Sequence, residues 1–381
     1  MEIEFRGSPG PSLGVEIETI IVDRSTRALA NRATEIIPML AGSDASGIHP
    51  KVKHELFECT LEAITGICAT VAEARADLAA TLLEIDAVLR PRDLALCCAG
   101  AHPFTHWRDL VLSPDTRYHA LVEQLQWTAR RLAIYGIHYH VGVPSGAHAV
   151  AITNSLAFHV PYFLALSASS PYWHGLDTGM ASCRTKVFES LPTAGLPPRL
   201  ADWADFERFM ETLVTAGAIT TIREVWWDVR PHPDFGTVEL RICDGMPTLT
   251  EVAAGAALAQ CLVLSLTERI DAGEPIPVAR DWTLRQNKWL AARYGSSAEI
   301  IVDEAGNRRP IRDATDELVA SLAPFAARLG CAAELASIPG LIAAGPSYAR
   351  QHAEFARTGS LEAVVDLLVA ELEADLGLGR S

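Results

Sequence analysis

Residues 12–22 read SLGVEIETIIV, where Val15 and Ile17 alternate with Glu16 and Glu18. Successive side chains of an extended chain point to opposite faces, so this spacing predicts a strand with one apolar face and one face carrying two carboxylates. Two distant segments repeat the design. Residues 137–143, IHYHVGV, alternate Ile137, Tyr139 and Val141 with His138 and His140, and residues 237–243, TVELRIC, alternate Val238, Leu240 and Ile242 with Glu239 and Arg241. An ordinary solvated strand face carries Thr, Ser, Lys or Arg; these three carry two carboxylates, two imidazoles, and a carboxylate beside a guanidinium. A Glu-x-Glu pair in an apolar strand repels itself unless a cation lies between the two groups. Carboxylates joined by an imidazole suit Mg²⁺ or Mn²⁺, hard ions that prefer oxygen ligands.

A fourth acidic segment, residues 53–68 (KHELFECTLEAITGIC), supplies Glu55, Glu58 and Glu62. Read as a strand, it puts Glu58, Thr60 and Glu62 on one face and Glu55 on the other, unless a bulge or turn intervenes. Read as a helix, it leaves glutamates exposed at i and i+4.

Between these segments lie helices. Val71, Ala74, Leu78, Leu82, Ile85 and Leu89 recur at helical spacing up to the stop at Pro91. Tyr118, Val122, Leu125, Ala129 and Leu132 predict a second amphipathic helix ended by Gly136. Residues 251–270 are apolar nearly all round and predict a buried helix, and residues 361–376 predict a closing amphipathic one. Strands separated by helices in this way fit an α+β sheet with helices packed on its apolar face. No linker divides the chain, so residues 1–381 are expected to form a single domain with a mostly helical portion from about 245 to 381.

Composition narrows the function. The 381 residues carry 32 Lys and Arg against 47 Asp and Glu, a net charge of −15, which argues against a nucleic-acid or anionic-membrane partner. The first residues lack a signal-peptide pattern, and the longest uncharged helical run, 252–267, falls short of the roughly 20 residues of a membrane span. Eight cysteines without a CxxC pair read as reduced thiols, so a cytoplasmic location is expected. There is no P-loop, GxGxxG, kinase signature, HExxH or GxSxG elbow. Any ATP must therefore be held through metals and scattered Arg and Lys.

The acidic strand at 12–23, the segment HELFECTLEAITGIC (54–68) and YGIHYHVGVP (135–144) resemble the carboxylate–amine ligase family, also called glutamate–cysteine ligase type 2. So do LALSASSPYWHGLDTGMASCRTKVFESLPTAGLPP (164–198), WWDVRPHPDFGTVELRICD (226–244), LRQNKWLAARYG (284–295) and the tail at 352–369, in order over nearly the whole chain. The resemblance implies a fold similar to glutamine synthetase and the guanidino kinases, with a curved antiparallel sheet holding ATP, metals and substrate. It implies that ATP phosphorylates a carboxylate and that an amine attacks the acyl phosphate, with L-glutamate and L-cysteine as default substrates. By motif, Glu16, Glu18, Glu55, Glu62, His138 and Glu239 take the metal-ligand places. Arg241, His138 and Arg230 take the catalytic ones; Arg184, Arg241, His140, Asn287 and Arg293 are candidates for holding ATP or anionic groups. Ser167–Pro171 and the Trp226–Trp227 pair read as packing and turn residues. Many members have G-V-E-E-E in the first motif; Ile17 stands here in the middle and should face the apolar side.

Three functional classes follow. The first is an ATP- and Mg²⁺-dependent ligase acting on small molecules, with a homodimer as a permitted assembly; a variant runs the same chemistry on another acid or amine in a specialised pathway. The second is a metal-dependent hydrolase built on His138 and His140, and the third a binding protein on a ligase scaffold, for which so many mutually repelling acids have no use.

Overall fold

A computed structural model describes residues 2–379. Seven strands form one antiparallel sheet: β1 (Leu13–Asp23), β2 (Val52–His54), β3 (Thr60–Ile64), β4 (Leu94–Cys97), β5 (Gly136–Gly142), β6 (Val229–His232) and β7 (Thr237–Asp244). Their order is β2–β3–β1–β5–β7–β6, and β4 pairs with the far end of β1. The helices that matter here are α1 (Val71–Leu89), α2 (Thr116–Leu125), α3 (Gly146–Ser167), α4 (Cys183–Phe188), α5 (Leu249–Asp271), α6 (Asp281–Tyr294), α7 (Ile311–Leu329), α8 (Ala332–Ala344), α9 (Ser347–Thr358) and α10 (Leu361–Asp375).

The apolar stripe of each strand does what its period predicts. Leu13, Val15, Ile17, Ile137, Tyr139, Val141, Val238 and Leu240 enter one core with α1, α3 and α5, and that core continues into α7 and α8. Ile17 is fully buried there, as expected. Beyond Glu18 both faces of β1 are covered, because α10 lays Val364, Val365 and Leu368 over Ile20 and Val22. The polar face is thereby confined to the first half of β1. Two local devices set the helices. Thr70 and Glu73 form a reciprocal capping box at the start of α1, an arrangement in which the cap alone contributes about 1 kcal/mol. Gly255 lets α5 approach the sheet so closely that a Cβ there would lie 2.3 Å from the Tyr139 hydroxyl, which donates to the Val252 carbonyl at 2.9 Å.

Some expectations are corrected. The helix predicted from Tyr118 to Leu132 is broken at Gln126 (φ 50°, ψ −121°), so that α2 and the short turn after it can both wrap one apolar cluster around Leu56, Phe57 and Tyr118. Gly136 opens β5 instead of ending a helix. Of the two readings of residues 53–68, the strand with an intervening turn is the one found. α3 and α5 are long and apolar enough to cross a membrane, contrary to the shorter run read from sequence; 83% of each apolar window is buried inside the chain, which marks them as core helices.

A β-bulge interrupts the pairing of β5 with β7. Ile137 faces Cys243 and Tyr139 faces Leu240, so Arg241 and Ile242 together oppose His138. Ile242 and Cys243 both enter the core, while Asp244 turns to bond Ser170 and Ser182.

Candidate active site

Polar side chains of six strands meet over one cavity of about 280 Å³. Register explains the meeting: Glu18 pairs with Glu62, Glu16 with His138, His140 with Glu239, and Glu239 with Arg230, so each joins its neighbour on the same face. Glu55 arrives from the loop between β2 and β3, which resolves its ambiguous face: the turn at 55–59 aims it at Glu18 and Glu62. Glu58 goes elsewhere. Its carboxylate accepts bonds from the Thr34 hydroxyl at 2.6 Å and the Thr34 amide at 2.9 Å.

Three overlapping triads result: Glu16, Glu62 and His138; Glu16, His140 and Glu239; Glu18, Glu55 and Glu62. Within each, the possible ligand atoms all lie within 4.8 Å of one another. His138 Nδ1 sits 2.9 Å from Glu16. His140 Nε2 is buried without a hydrogen-bond partner, although Glu16 and Glu239 oxygens lie 3.4 and 3.8 Å away. A nitrogen orphaned between carboxylates is what a cation site looks like, and the oxygen-rich donor set fits a hard divalent ion.

The two ends of the cavity differ electrostatically. At the Glu239 end, Arg230 Nε donates to Glu239 at 2.7 Å and Arg241 donates to its other oxygen. Burial alone would raise the Glu239 carboxyl, but Arg230 and Arg241 hold it well below the carboxylate range. Burial is likewise outweighed at Glu16, which His140 and His138 hold well below its ordinary value. At the other end no Lys or Arg among the described residues hydrogen-bonds Glu18, Glu55 or Glu62, although Arg184, Arg117 and Lys53 stand near enough to offset part of their burial. Burial and Glu55 push Glu18 up to about 7, and burial with Glu16, Glu55 and Glu18 raises Glu62 well above its usual range. Burial, with Arg241 nearby, lowers His138 to about 4, so its ring is neutral and free to ligate.

Arg184, Arg230 and Arg241 all line this cavity. Arg184 leaves the first turn of α4, donates to the Ile242 and Arg241 carbonyls at 3.1 and 3.2 Å, and lies over Gly136, where a Cβ would sit 2.2 Å from its guanidinium. Arg230 is fixed by the Val225 and Ile222 carbonyls at 2.6 and 2.8 Å. Two candidates are corrected. Asn287 spends its amide on the Ile301 backbone, donating and accepting at 2.8 Å, and Arg293 stacks on Tyr294 at 4.8 Å; neither lines the cavity. Their motif instead delivers Lys288, whose buried Nζ is 2.6 Å from both Asp228 and Glu189 and so ties the strand bearing Arg230 to the helix bearing Arg184. Trp226 also departs from expectation: it lines the cavity, while Trp227 is packed. His232, Phe235 and Arg117 belong to the lining and were not singled out. His232 had a visible signal, since it follows Arg230 at the strand period.

The fold is similar to those of solved ligases. The glutamate–cysteine ligase of Francisella tularensis, solved in complex with AMP, aligns at TM-score 0.71 and 12% identity, over 99% of this chain and 94% of that one. A bifunctional glutathione synthetase from Pasteurella multocida aligns at TM-score 0.67 and 14% identity, over 97% of this chain and 52% of that one. This is the α+β fold of the glutamate–cysteine ligase and glutathione synthetase group. Residues 12–367 match glutamate–cysteine ligase family 2, and the chain belongs to that family. Among its relatives, a protein of Frankia alni provisionally named glutamate–cysteine ligase 2-1 is 51% identical over 98% of both chains. One from Thermobifida fusca, provisionally named glutamate–cysteine ligase 2, is 48% identical over 98% of this chain and 94% of its own. Membership makes the chain an ATP-dependent ligase and overturns the hydrolase alternative.

Proposed function

We propose that this chain joins L-glutamate to L-cysteine in the cytoplasm, forming γ-glutamylcysteine, ADP and phosphate through an acyl phosphate. The observation that supports this most is the set of overlapping carboxylate–imidazole triads beside three cavity arginines. We assign Glu16, Glu18, Glu55, Glu62, His138, His140 and Glu239 to hold Mg²⁺ or Mn²⁺. When bound, such ions neutralise polyphosphate oxygens and bring the γ-phosphoryl group to the carboxylate.

The chain's own groups account for the remainder. Glu239 accepts Arg230 on one oxygen and Arg241 on the other, which pre-orients both guanidiniums to receive an anion and leaves lone pairs on the carboxylate for an ion. Arg241 faces the place where the phosphoryl group changes hands, between His138 and Glu239. Its role is to stabilise charge there as the bond from phosphorus to the ADP oxygen breaks and the bond to the carboxylate oxygen forms. The amine then attacks the acyl carbon and phosphate leaves. No protein nucleophile is required.

The test uses L-glutamate labelled with ¹⁸O in its side-chain carboxylate. One label per turnover is expected in released phosphate. Pyrophosphate with labelled AMP refutes the acyl phosphate. Turnover only with another acid or amine, across an array of amino acids, keeps the chemistry and refutes the substrates.

A further inference from the structure

We infer that the turn between β6 and β7 is a stacking platform for the nucleobase of the nucleotide, with Phe235 as its contact surface and His232 as its backing. The inference rests on the proposed use of ATP and adds to it the place and chemistry of base recognition.

The charge asymmetry of the cavity orients the nucleotide. Arg184 and Arg117 stand beside Glu18 and Glu55, but the guanidiniums paired with a carboxylate on the sheet face itself are Arg230 and Arg241. A triphosphate belongs beside them and His140 at Glu239, with Arg223 also on the wall. The base must then lie past these residues, away from the cluster of Glu18, Glu55 and Glu62. Past them stands the turn at 233–236. Phe235 is 56% exposed although it lines the cavity, and its ring is parallel to that of His232, with centroids 4.1 Å apart and planes inclined by 6°. His140 meets both rings edge-on, at 5.5 and 5.6 Å. His232 itself is 5% exposed, and its Nδ1 is buried without a hydrogen-bond partner.

The turn is held rigidly from behind. Arg6 donates its amide to the Pro233 carbonyl at 3.1 Å, and Val143 donates to Gly236 at 3.0 Å. Gly236 has φ +64°, and a Cβ there would lie 1.9 Å from the Arg6 carbonyl oxygen, so the segment at 6–7 presses directly on the turn. An aromatic ring that is ordered from below, exposed above and placed at the cationic end of a cavity is suited to a flat heteroaromatic partner. A purine laid on Phe235 would continue the stack begun by His232.

Kinetics of Phe235→Ala, Phe235→Leu and Phe235→Tyr test this, with magnesium tripolyphosphate as a base-free competitor of ATP. Loss of base–aromatic stacking raises KM for ATP by roughly 5- to 150-fold in Phe235→Ala and Phe235→Leu. Phe235→Tyr stays close to wild type. The KM values for the two amino acids, kcat at saturating ATP and the inhibition constant of tripolyphosphate stay unchanged. A tripolyphosphate constant that rises in step with KM for ATP overturns the platform, since the ring would then be supporting the phosphate site. So does a KM for ATP within about twofold of wild type in Phe235→Ala. Wild-type protein that consumes no ATP under any amino-acid mixture overturns the ligase reading, and the platform with it.

Discussion

Replacing Lys288 with Met removes the positive charge shared by Asp228 and Glu189 and keeps most of the side chain's volume. Asp228 is 1% exposed, and burial already pushes its carboxyl up despite Lys288 at 2.6 Å. Glu189 is less vulnerable, being 28% exposed and still 2.7 Å from Lys186. The cost is therefore mainly one uncompensated buried carboxylate, about 3–5 kcal/mol of folding free energy. Its pH dependence is diagnostic. In the variant the Asp228 carboxyl has a folded-state pKa above its unfolded value, so the folded form binds the extra proton and stability is recovered as pH falls. Urea unfolding at pH 8 and pH 5.5 should show a large deficit that narrows at the lower pH. Adding Asp228→Asn should recover at least half of it. A deficit below about 1 kcal/mol, or one independent of pH, would refute the charge argument. Turnover should fall further than stability requires, because the Asp228 carbonyl also accepts the Arg241 amide at 2.7 Å.

Other outcomes can be checked alongside. Glu62→Gln should keep or slightly raise thermal stability, because a buried repelling acid is removed, while kcat falls by two or more orders of magnitude; a folded variant with wild-type turnover would misplace the site. Excess EDTA should abolish activity, and added Mn²⁺ should restore it. Since burial and Glu55 push Glu18 up to about 7, Mn²⁺ affinity measured calorimetrically should weaken from pH 8 to pH 6, as the ion must increasingly displace a proton. His102 is buried neutral, accepting the Thr105 amide on Nδ1 at 3.1 Å and donating from Nε2 to the Arg27 carbonyl at 2.8 Å. Burial lowers it to about 4, so below pH 6.5 the unfolded chain binds a proton that the folded chain refuses, costing ~3 kcal/mol by pH 4; His102→Asn should flatten that part of the acid-unfolding curve.

Much of the site was legible because period 2 is a strong local signal. Glu16, Glu18, His138, His140, Glu239 and Arg241 each alternate with buried apolar neighbours, and the sheet only had to bring the strands together. Glu55 was not legible from pattern, since a turn decides its direction and turns carry little period. Asn287 and Arg293 show the limit of resemblance: their motif packs α6 against the site through Lys288, and a helix contributes one face to such a contact. The break at Gln126 was hidden because the apolar spacing continues across it; both pieces cover the same cluster, which helical periodicity cannot distinguish from one straight rod.

The irregularity opposite His138 couples two jobs that a plain strand would keep separate. Counting along β7, Glu239 and Arg241 serve the cavity, and the extra residue then reverses parity so that Asp244 reaches Ser169, Ser170 and Ser182. Through that anchor the strand also fixes the loop that launches Arg184. Deleting one residue at 241–242 would restore regular pairing with Cys243 and Asp244 still opposite Ile137 and Gly136, and would remove either the cavity guanidinium or a core side chain. The extra residue lets one strand present Arg241 to the cavity and Ile242 to the core at the same point of the ladder.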